Sequence, residues 1–157
     1  MTNSAADNRG PQAQRRTTVL AALAALLSLV GLADAVYLTV EHLSGRSVRC
    51  TVISGCSEVL SSTYATVGPF PLAALGALAY FTAFSLATLA AFGYATAGRL
   101  LAALVAVMCL MSLWLLYVQA FRIGHFCQYC LLSAAITFGL AALVIAGRLL
   151  QRHARMK

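Results

Sequence analysis

The sequence predicts an all-α integral membrane protein, a bundle of four transmembrane helices with a partly ordered extracytoplasmic loop between the first two. Hydrophobic residues make up 61% of the chain and charged residues only 10%, against roughly 45–50% and about 25% in soluble domains. Four apolar stretches each hold the roughly 20 residues that cross a bilayer. They are residues 19–40, 71–92, 100–121 and 126–146.

The rest of the chain fits around these spans. We expect residues 1–16, which are polar, to be a disordered cytoplasmic N-terminus, residues 17–150 to form the membrane domain, and residues 151–157 to be a basic cytoplasmic tail. The first span is too long for a signal-peptide core and is interpreted as a retained helix. The fourth is the least apolar, because a C-x-x-C sequence that begins at Cys127 occupies its first turn.

The basic residues predict the orientation. The formal net charge is +7, but these residues bracket the spans instead of clustering on one face, which argues against nucleic-acid binding. Four spans place both termini and the 93–99 connection on one side, and eight basic residues lie there. They are Arg9, Arg15, Arg16, Arg99, Arg148, Arg152, Arg155 and Lys157. The positive-inside rule puts this side in the cytoplasm, so residues 41–68 and the 122–127 turn face outward.

Four of the five cysteines then lie on the outward side. Cys50 and Cys56 are in the loop, and Cys127 and Cys130 begin the fourth helix. Cys109, inside the third span, is interpreted as a small apolar residue. Cysteines at an oxidising face form disulfides, and a non-enzymatic membrane scaffold with two structural disulfides is one interpretation. A C-x-x-C bridge closes too small a ring to add much stability, and the spacing is typical of redox pairs, which favours thiol–disulfide exchange.

The position of the C-x-x-C pair predicts different roles for its two thiols. Cys127 falls at the start of a helix, where unpaired N–H groups and the helix dipole lower a thiol pKa. Arg122 and His125 could add positive potential. Cys130 lies about one turn deeper, so we expect Cys127 to face water and Cys130 to face the membrane interior.

Other cysteine chemistries fit less well. Attachment of a c-type haem needs His directly after the second cysteine, where Leu131 stands. A zinc site built from C-x5-C and C-x2-C is not a familiar spacing, and no metal is predicted. A conduit that carries reductant outward needs paired cysteines within reach of the cytoplasm, and Cys109 alone does not meet that need.

The residues around the cysteines resemble the vitamin K epoxide reductase family, specifically its bacterial homologues. The resemblance covers about residues 17–148. It rests on Gly31–Tyr37 (GLADAVY), Cys50, Cys56–Tyr64 (CSEVLSSTY), Gly68–Leu72 (GPFPL) with Gly76, and Phe126–Cys130 (FCQYC).

This resemblance implies a protein of the bacterial inner membrane that oxidises a thioredoxin-like partner and reduces a quinone (ubiquinone, menaquinone or a related naphtho- or plastoquinone). Cys50 and Cys56 would form the shuttle pair. Cys56 would exchange with Cys127, and Cys130 would deliver electrons to the quinone. Many bacterial members continue into a fused thioredoxin-like domain, whereas this chain stops at Lys157. We therefore expect a separate extracytoplasmic partner protein.

The resemblance also implies residues that contact the quinone. Ser62 matches a family serine at the junction of the loop and the site, with a helix N-cap or turn serine as the alternative. Leu72 and Ala134 stand where the animal enzymes carry an asparagine and a tyrosine that engage vitamin K oxygens, so epoxide reduction is not expected. The aromatic candidates for contact with the quinone are Tyr64, Phe126 and Tyr129.

Asp34 is a carboxylate inside the first span, about two turns from its outer end. A charge at this depth is costly in lipid, so we expect the side chain to face the bundle or its mouth. There it could relay the protons that accompany quinone reduction, pair with a nearby hydroxyl, or lie in a wetted crevice.

Overall fold

The structure is a computed structural model that describes residues 11–45 and 56–156. Its helices are α1 (Pro11–Leu43), α2 (Cys56–Leu60), α3 (Leu72–Ala91), α4 (Ala95–Val118) and α5 (Gln128–Arg155). A 3₁₀ turn (Thr63–Ala65) and a small antiparallel hairpin, β1 (Thr66–Val67) and β2 (Phe70–Pro71), connect α2 to α3. A π-helical turn, Gln119–Ile123, follows α4 directly.

Four of these helices are long and apolar enough to cross a membrane, which confirms the predicted fold class. The spanning segments are Gln14–Leu43, Leu72–Ala91, Ala95–Ile123 and Gln128–His153. The protein is therefore a multi-pass membrane protein. Each segment is at least as long as the roughly 20 residues that a bilayer requires.

The first helix begins earlier than the sequence predicts. Residues 11–16 were expected to be disordered, but α1 starts at Pro11 and includes them. Proline suits the first position of a helix, and Gln14 and Arg15 are good helix formers, so the helix extends beyond the apolar span. The predicted basic tail is likewise helical as far as Arg155. Residues 1–10 lie outside the described part of the chain.

The four spanning helices form a closed ring, in which α1 and α4 each pack against both α3 and α5. We call the end where α1 stops and α5 begins the cysteine end, and the opposite end the basic end. The half nearer the basic end, the packed half, is filled by buried apolar side chains. They are Ala83, Ala87, Leu101, Val105 and Leu140.

Tyr80 marks the boundary of the packed half. Its ring is buried beside Gly31 on α1, and any side chain at Gly31 would overlap that ring. Its hydroxyl donates to the Ser133 carbonyl oxygen at 2.8 Å and lies 3.0 Å from the Thr137 hydroxyl. Tyr80 thus reaches from α3 across the bundle to α5, which satisfies its polar group inside an apolar core.

The segment between α1 and α3 folds over the cysteine end. Its hairpin turns at Gly68, whose φ of +61° suits the first central position of a two-residue turn. The packing of α2 against the π-helical turn keeps this segment close to the start of α5. The loop predicted between the first two spans is therefore structured from Cys56 onward.

Candidate thiol site and cavity

Cys127 occupies the position just before the first residue of α5. Its backbone is extended, with φ −98° and ψ 121°, and its carbonyl oxygen accepts the first helical hydrogen bond, from Leu131 N–H at 3.0 Å. The sequence predicted this placement at the helix N-terminus, and the structure confirms it. The sulfur thus lies beside backbone N–H groups that the helix itself leaves unpaired.

The surroundings of Cys127 lower the pKa of its thiol from 9.0 to about 7. The largest cause is a hydrogen bond that the Cys130 thiol donates to the Cys127 sulfur. The backbone N–H groups of Cys130 and Tyr129 also lower the pKa of the thiol. They do so through their positive partial charges, because the geometry of the sulfur is not that of a helix-capping hydrogen bond. Burial and the charge of Asp34 act in the opposite direction. These surroundings therefore favour the thiolate form of Cys127 more strongly than the surroundings of an ordinary cysteine do.

The expectation that Cys127 faces water is wrong, because its side chain is 0% exposed. It belongs to a buried cluster at the cysteine end with Leu38, Cys56 and Val59. Cys56 itself is only 1% exposed. The reason is the position of α2, which lies over the start of α5 and covers the thiol. Hydropathy along the chain cannot predict that α2 covers Cys127, because the two segments are far apart in sequence.

The described cysteines are in two oxidation states. Cys56 is disulfide-bonded, whereas Cys109, Cys127 and Cys130 are free thiols. Cys50, the predicted partner of Cys56, lies outside the described residues. The thiol of Cys109 points to the carbonyl oxygen of Thr137, 4.0 Å away inside the bundle. An oxidised cysteine on the covering segment therefore packs in one cluster with a reduced C-x-x-C cysteine.

A cavity of about 140 Å³ opens between the spanning helices beneath α2. Its walls are mostly apolar, and Cys130 is part of them. Four of the residues predicted to contact a quinone also line it: Ser62, Tyr64, Leu72 and Ala134. The deeper cysteine of the C-x-x-C pair is thus next to an apolar chamber, as the depth difference between the two thiols suggested.

Two of the predicted aromatic contacts lie elsewhere. Phe126 and Tyr129 are not among the residues that line the cavity. The Tyr129 ring packs against Tyr37, with ring centroids 5.4 Å apart, and Phe126 is an exposed residue. Tyr64 does line the cavity, and its ring makes an edge contact with the Trp114 ring, with ring centroids 6.1 Å apart. An aromatic residue next to an active cysteine in the sequence therefore need not line the cavity.

Ser62 combines both interpretations that the sequence left open. It lines the cavity, and its hydroxyl donates a hydrogen bond to the Val59 carbonyl oxygen at 2.7 Å. It precedes the 3₁₀ turn without capping it. Because the hydroxyl proton is already engaged, Ser62 offers a ligand an acceptor and not a donor.

Gln119 is a site residue that the sequence analysis missed. It is 2% exposed, lines the cavity, and its Oε1 accepts a hydrogen bond from the Cys127 backbone N–H at 3.0 Å. Its backbone oxygen accepts from Gly124 N–H at 3.0 Å. Gln119 therefore accepts hydrogen bonds from Gly124 and Cys127, and these two bonds fix the turn that leads into α5. The only signal in the sequence was an uncharged polar residue at the end of an apolar span.

Asp34 lines the same cavity and is 9% exposed. Its Oδ2 atom is buried and has no hydrogen-bond partner among the described residues. Its charge acts on both cysteines of the C-x-x-C pair. The carboxyl group therefore lies near the reactive sulfurs, facing the bundle as expected.

Residues 22–145 match the family model described as the Vitamin K epoxide reductase family. The match spans most of the chain, including all of α2, α3 and α4 and the start of α5. Proteins of this family are membrane thiol oxidoreductases, generally linked to quinones and typically working with thioredoxin-like partners.

Proposed function

Because the chain belongs to the vitamin K epoxide reductase family, we propose that it is a thiol:quinone oxidoreductase that drives disulfide formation outside the cytoplasm. Its substrate is the dithiol of a separate thioredoxin-like protein. Electrons pass from that dithiol to the Cys50–Cys56 pair, then to Cys127 and Cys130, and finally to a membrane quinone.

The observation that carries this proposal is the burial of Cys56 and Cys127 in one cluster. Cys56 is disulfide-bonded and Cys127 is a free thiol whose pKa is lowered to about 7. Disulfide exchange needs a thiolate within reach of a disulfide sulfur. A disulfide at Cys56 agrees with a shuttle cysteine, and its pairing with Cys50 is part of the proposal.

The exchange proceeds by two thiolate attacks. After the partner has reduced the shuttle pair, Cys56 attacks Cys127 of an oxidised C-x-x-C pair, forming the Cys56–Cys127 bond and releasing Cys130. Cys50 then attacks Cys56 and releases Cys127. The shuttle pair is now oxidised and the C-x-x-C pair carries both electrons. The free thiols of Cys127 and Cys130 beside a bonded Cys56 correspond to this state.

The cavity has suitable size and chemistry for the ring of a quinone. Its volume of about 140 Å³ is close to the roughly 150 Å³ of an apolar cavity that accepts benzene. Cys130 supplies a thiol at its wall, and the other proposed contacts are Ser62, Tyr64, Leu72 and Ala134. A bound quinone supplies a two-electron, two-proton acceptor. The apolar walls exclude water from the place where the sulfur delivers electrons.

The proposed location is the bacterial inner membrane, and the charge distribution supports an orientation with the basic end in the cytoplasm. Among the described residues, six Lys or Arg residues belong to the basic end: Arg15, Arg16, Arg99, Arg148, Arg152 and Arg155. Only Arg122 belongs to the cysteine end. The cysteines then face the oxidising side, where a thioredoxin-like protein can reach the shuttle pair. Reporter fusions at residue 45 and at the C-terminus test this orientation, and the reverse pattern would contradict it.

The proposed activity is tested by mixing the purified protein with menadione and a reduced thioredoxin-like protein. We expect loss of the quinone absorbance. Cys130→Ser should abolish this loss, whereas Cys50→Ser should stop turnover with the protein partner but leave a single turnover of the prereduced enzyme. Cys109→Ser, which changes a thiol outside the relay, is the matched control and should behave as the wild type.

A scaffold with two structural disulfides predicts a different result. In that case Cys130→Ser lowers stability without any redox phenotype, and the wild type leaves menadione oxidised. The free thiols at Cys127 and Cys130 argue against that alternative. Normal menadione turnover by Cys130→Ser would refute the proposed electron path.

A further inference from the structure

Asp34 is the only side chain in the described part of the chain with a buried N or O atom that lacks a hydrogen-bond partner. The side chain is 91% buried, since its exposed fraction is 9%. An uncompensated polar atom of this kind destabilises the folded protein, and a charged one does so more strongly. Such a cost is retained in native structures mainly at functional sites.

The surroundings of Asp34 connect it to the proposed chemistry. It lines the cavity together with Cys130, and its charge acts on Cys127, Cys130 and Tyr80. On its own helix, His42 lines the same cavity, about 12 Å nearer the cysteine end at 1.5 Å per residue. These titratable groups of α1, α3 and the start of α5 either line the cavity with Asp34 or are affected by its charge.

Two serine hydroxyls of the cavity wall are less able to give up a proton. The Ser62 hydroxyl donates to the Val59 carbonyl oxygen at 2.7 Å. The Ser133 hydroxyl lies 2.9 Å from the Tyr80 hydroxyl, which donates to the Ser133 carbonyl oxygen. Serine hydroxyls are also weak acids, whereas a carboxyl group exchanges protons readily near neutral pH.

The proton balance of the reaction calls for a proton donor besides the thiols. Conversion of a quinone to a quinol takes two electrons and two protons, as many as a dithiol loses when it becomes a disulfide. The hydrogen bond from the Cys130 thiol lowers the pKa of Cys127 and favours its thiolate form. When Cys127 is a thiolate at the start of the reaction, the Cys127/Cys130 pair can supply two electrons to the quinone but only one proton, that of the Cys130 thiol. A second proton is then needed from another donor.

We propose that Asp34 is a catalytic residue that holds this second proton and donates it to a carbonyl oxygen of the bound quinone. The inference rests on the proposed function. Cys127 and Cys130 lose two electrons and form the S–S bond, Cys130 gives up its thiol proton, and Asp34 gives up its carboxyl proton. The two electrons and two protons convert the bound quinone to the quinol. The Asp34 carboxylate then regains a proton from the aqueous side.

The first test observes the carboxyl group without changing it. The sequence contains two aspartates, Asp7 and Asp34, so the Asp7→Asn protein grown on carbon-13-labelled aspartate reports on Asp34 alone. Infrared difference spectra are recorded on the full-length protein before and after addition of menadione. We expect an isotope-sensitive carboxylic acid band that shifts on binding to the oxidised enzyme. In a time-resolved single turnover of the prereduced enzyme, this band should convert transiently to a carboxylate band before Asp34 regains its proton. Absence of any isotope-sensitive change would overturn the proposal.

The second test uses Asp34→Asn, which keeps a hydrogen-bond donor of the same shape but has no proton to deliver. We expect menadione to bind within about threefold of the wild type and to be reduced about 100-fold more slowly, the lower range for general acid catalysis. Exchange between Cys56 and Cys127 should be unchanged. Ser28→Ala, which removes a buried hydroxyl of α1 that bonds to Ala24, is the matched control and should retain the wild-type rate.

The outcomes separate this inference from the function on which it rests. If the wild type does not reduce menadione, the proposed function fails and the role of Asp34 fails with it. If the wild type reduces menadione and Asp34→Asn does so at the same rate, only the role of Asp34 is refuted.

Discussion

The two halves of the bundle use the same four helices in opposite ways. In the packed half, Leu101, Val105 and Leu140 fill the space between the helices. Toward the cysteine end, small residues such as Ala35, Gly76 and Ala134 form the wall of a cavity. Tyr80 lies between the halves, since its hydroxyl bonds to Ser133 on the cavity wall.

This difference shows how a small membrane protein can contain both a stable core and a chamber. Lipid tails are as apolar as leucine, so the helices associate through close packing and internal hydrogen bonds. The packed half supplies that packing. The cavity half is then free to present Cys130, Asp34 and Gln119 toward one space. Substitutions in the two halves should therefore separate stability from activity.

The largest effect on stability is expected from Gly31→Val. The added side chain overlaps the Tyr80 ring, so Tyr80 must leave its site and lose its bonds to Ser133 and Thr137. We expect the free energy of unfolding in detergent to fall by about 3 kcal/mol, the upper range for overpacking. Gly98→Ala is the control, because its Cβ meets no atom within 4 Å. Equal stability of the two variants would contradict the role of Tyr80.

Next in size is Leu140→Ala in the packed half, compared with Ala134→Leu at the cavity. Leu140 is fully buried, and its truncation should cost about 2 kcal/mol, the lower end for Leu→Ala changes, because lipid is apolar too. Ala134→Leu places its longer side chain in the chamber, so it should lower the unfolding free energy less than Leu140→Ala while weakening menadione binding at least tenfold. If Ala134→Leu bound menadione normally, the cavity would not be the quinone site.

A smaller effect, on the thiol itself, is expected from Cys130→Ala. The variant lacks the hydrogen bond that contributes most to lowering the pKa of Cys127 to about 7. That pKa should rise by about one unit, which corresponds to 1.4 kcal/mol, so the thiolate fraction at pH 7 falls. Thiolate absorbance against pH, in a Cys109→Ala background with the shuttle pair oxidised, measures this midpoint. An unchanged midpoint would assign the lowered pKa to the helix N-terminus alone.

A loss of about 1 kcal/mol in the free energy of unfolding is expected from Gln119→Leu. The Cys127 N–H loses its acceptor at 3.0 Å and is left buried without a partner, which costs about that much. Ser28→Ala in the packed half is the comparison. It removes the hydroxyl that donates to the Ala24 carbonyl oxygen, but that oxygen still accepts its backbone hydrogen bond within α1. Gln119→Leu should also slow exchange between Cys56 and Cys127. A variant with normal exchange would mean that Gln119 does not position Cys127.

Much of the fold was predictable because hydropathy depends on local sequence. Four apolar stretches marked the four spans, and the C-x-x-C spacing placed Cys127 at the start of the last helix. Residues 11–16 were misassigned because their polarity hid good helix formers. Hydropathy and residue spacing are therefore enough to locate the N-terminus of a helix and a cysteine whose pKa that terminus lowers.

The rest of the site depends on contacts between segments distant in sequence. The burial of Cys127 results from the folding of α2 over the bundle, and the role of Gln119 from a π-helical turn that brings its amide to Cys127. Neither leaves a periodic signal. Phe126 and Tyr129 show the same limit, because adjacency to a cysteine does not determine which way a ring points.

The most direct test of the central claim is whether Cys56 and Cys127 form a mixed disulfide. In Cys50→Ala/Cys130→Ala, neither resolving thiol is present, so a bond between Cys56 and Cys127 cannot be released by exchange within the chain. Mass spectrometry of the oxidised protein should show this bond, with Cys109 still free for alkylation. If Cys56 and Cys127 both remain alkylatable under conditions that oxidise the wild-type pairs, no relay runs through them and the proposed electron path is contradicted.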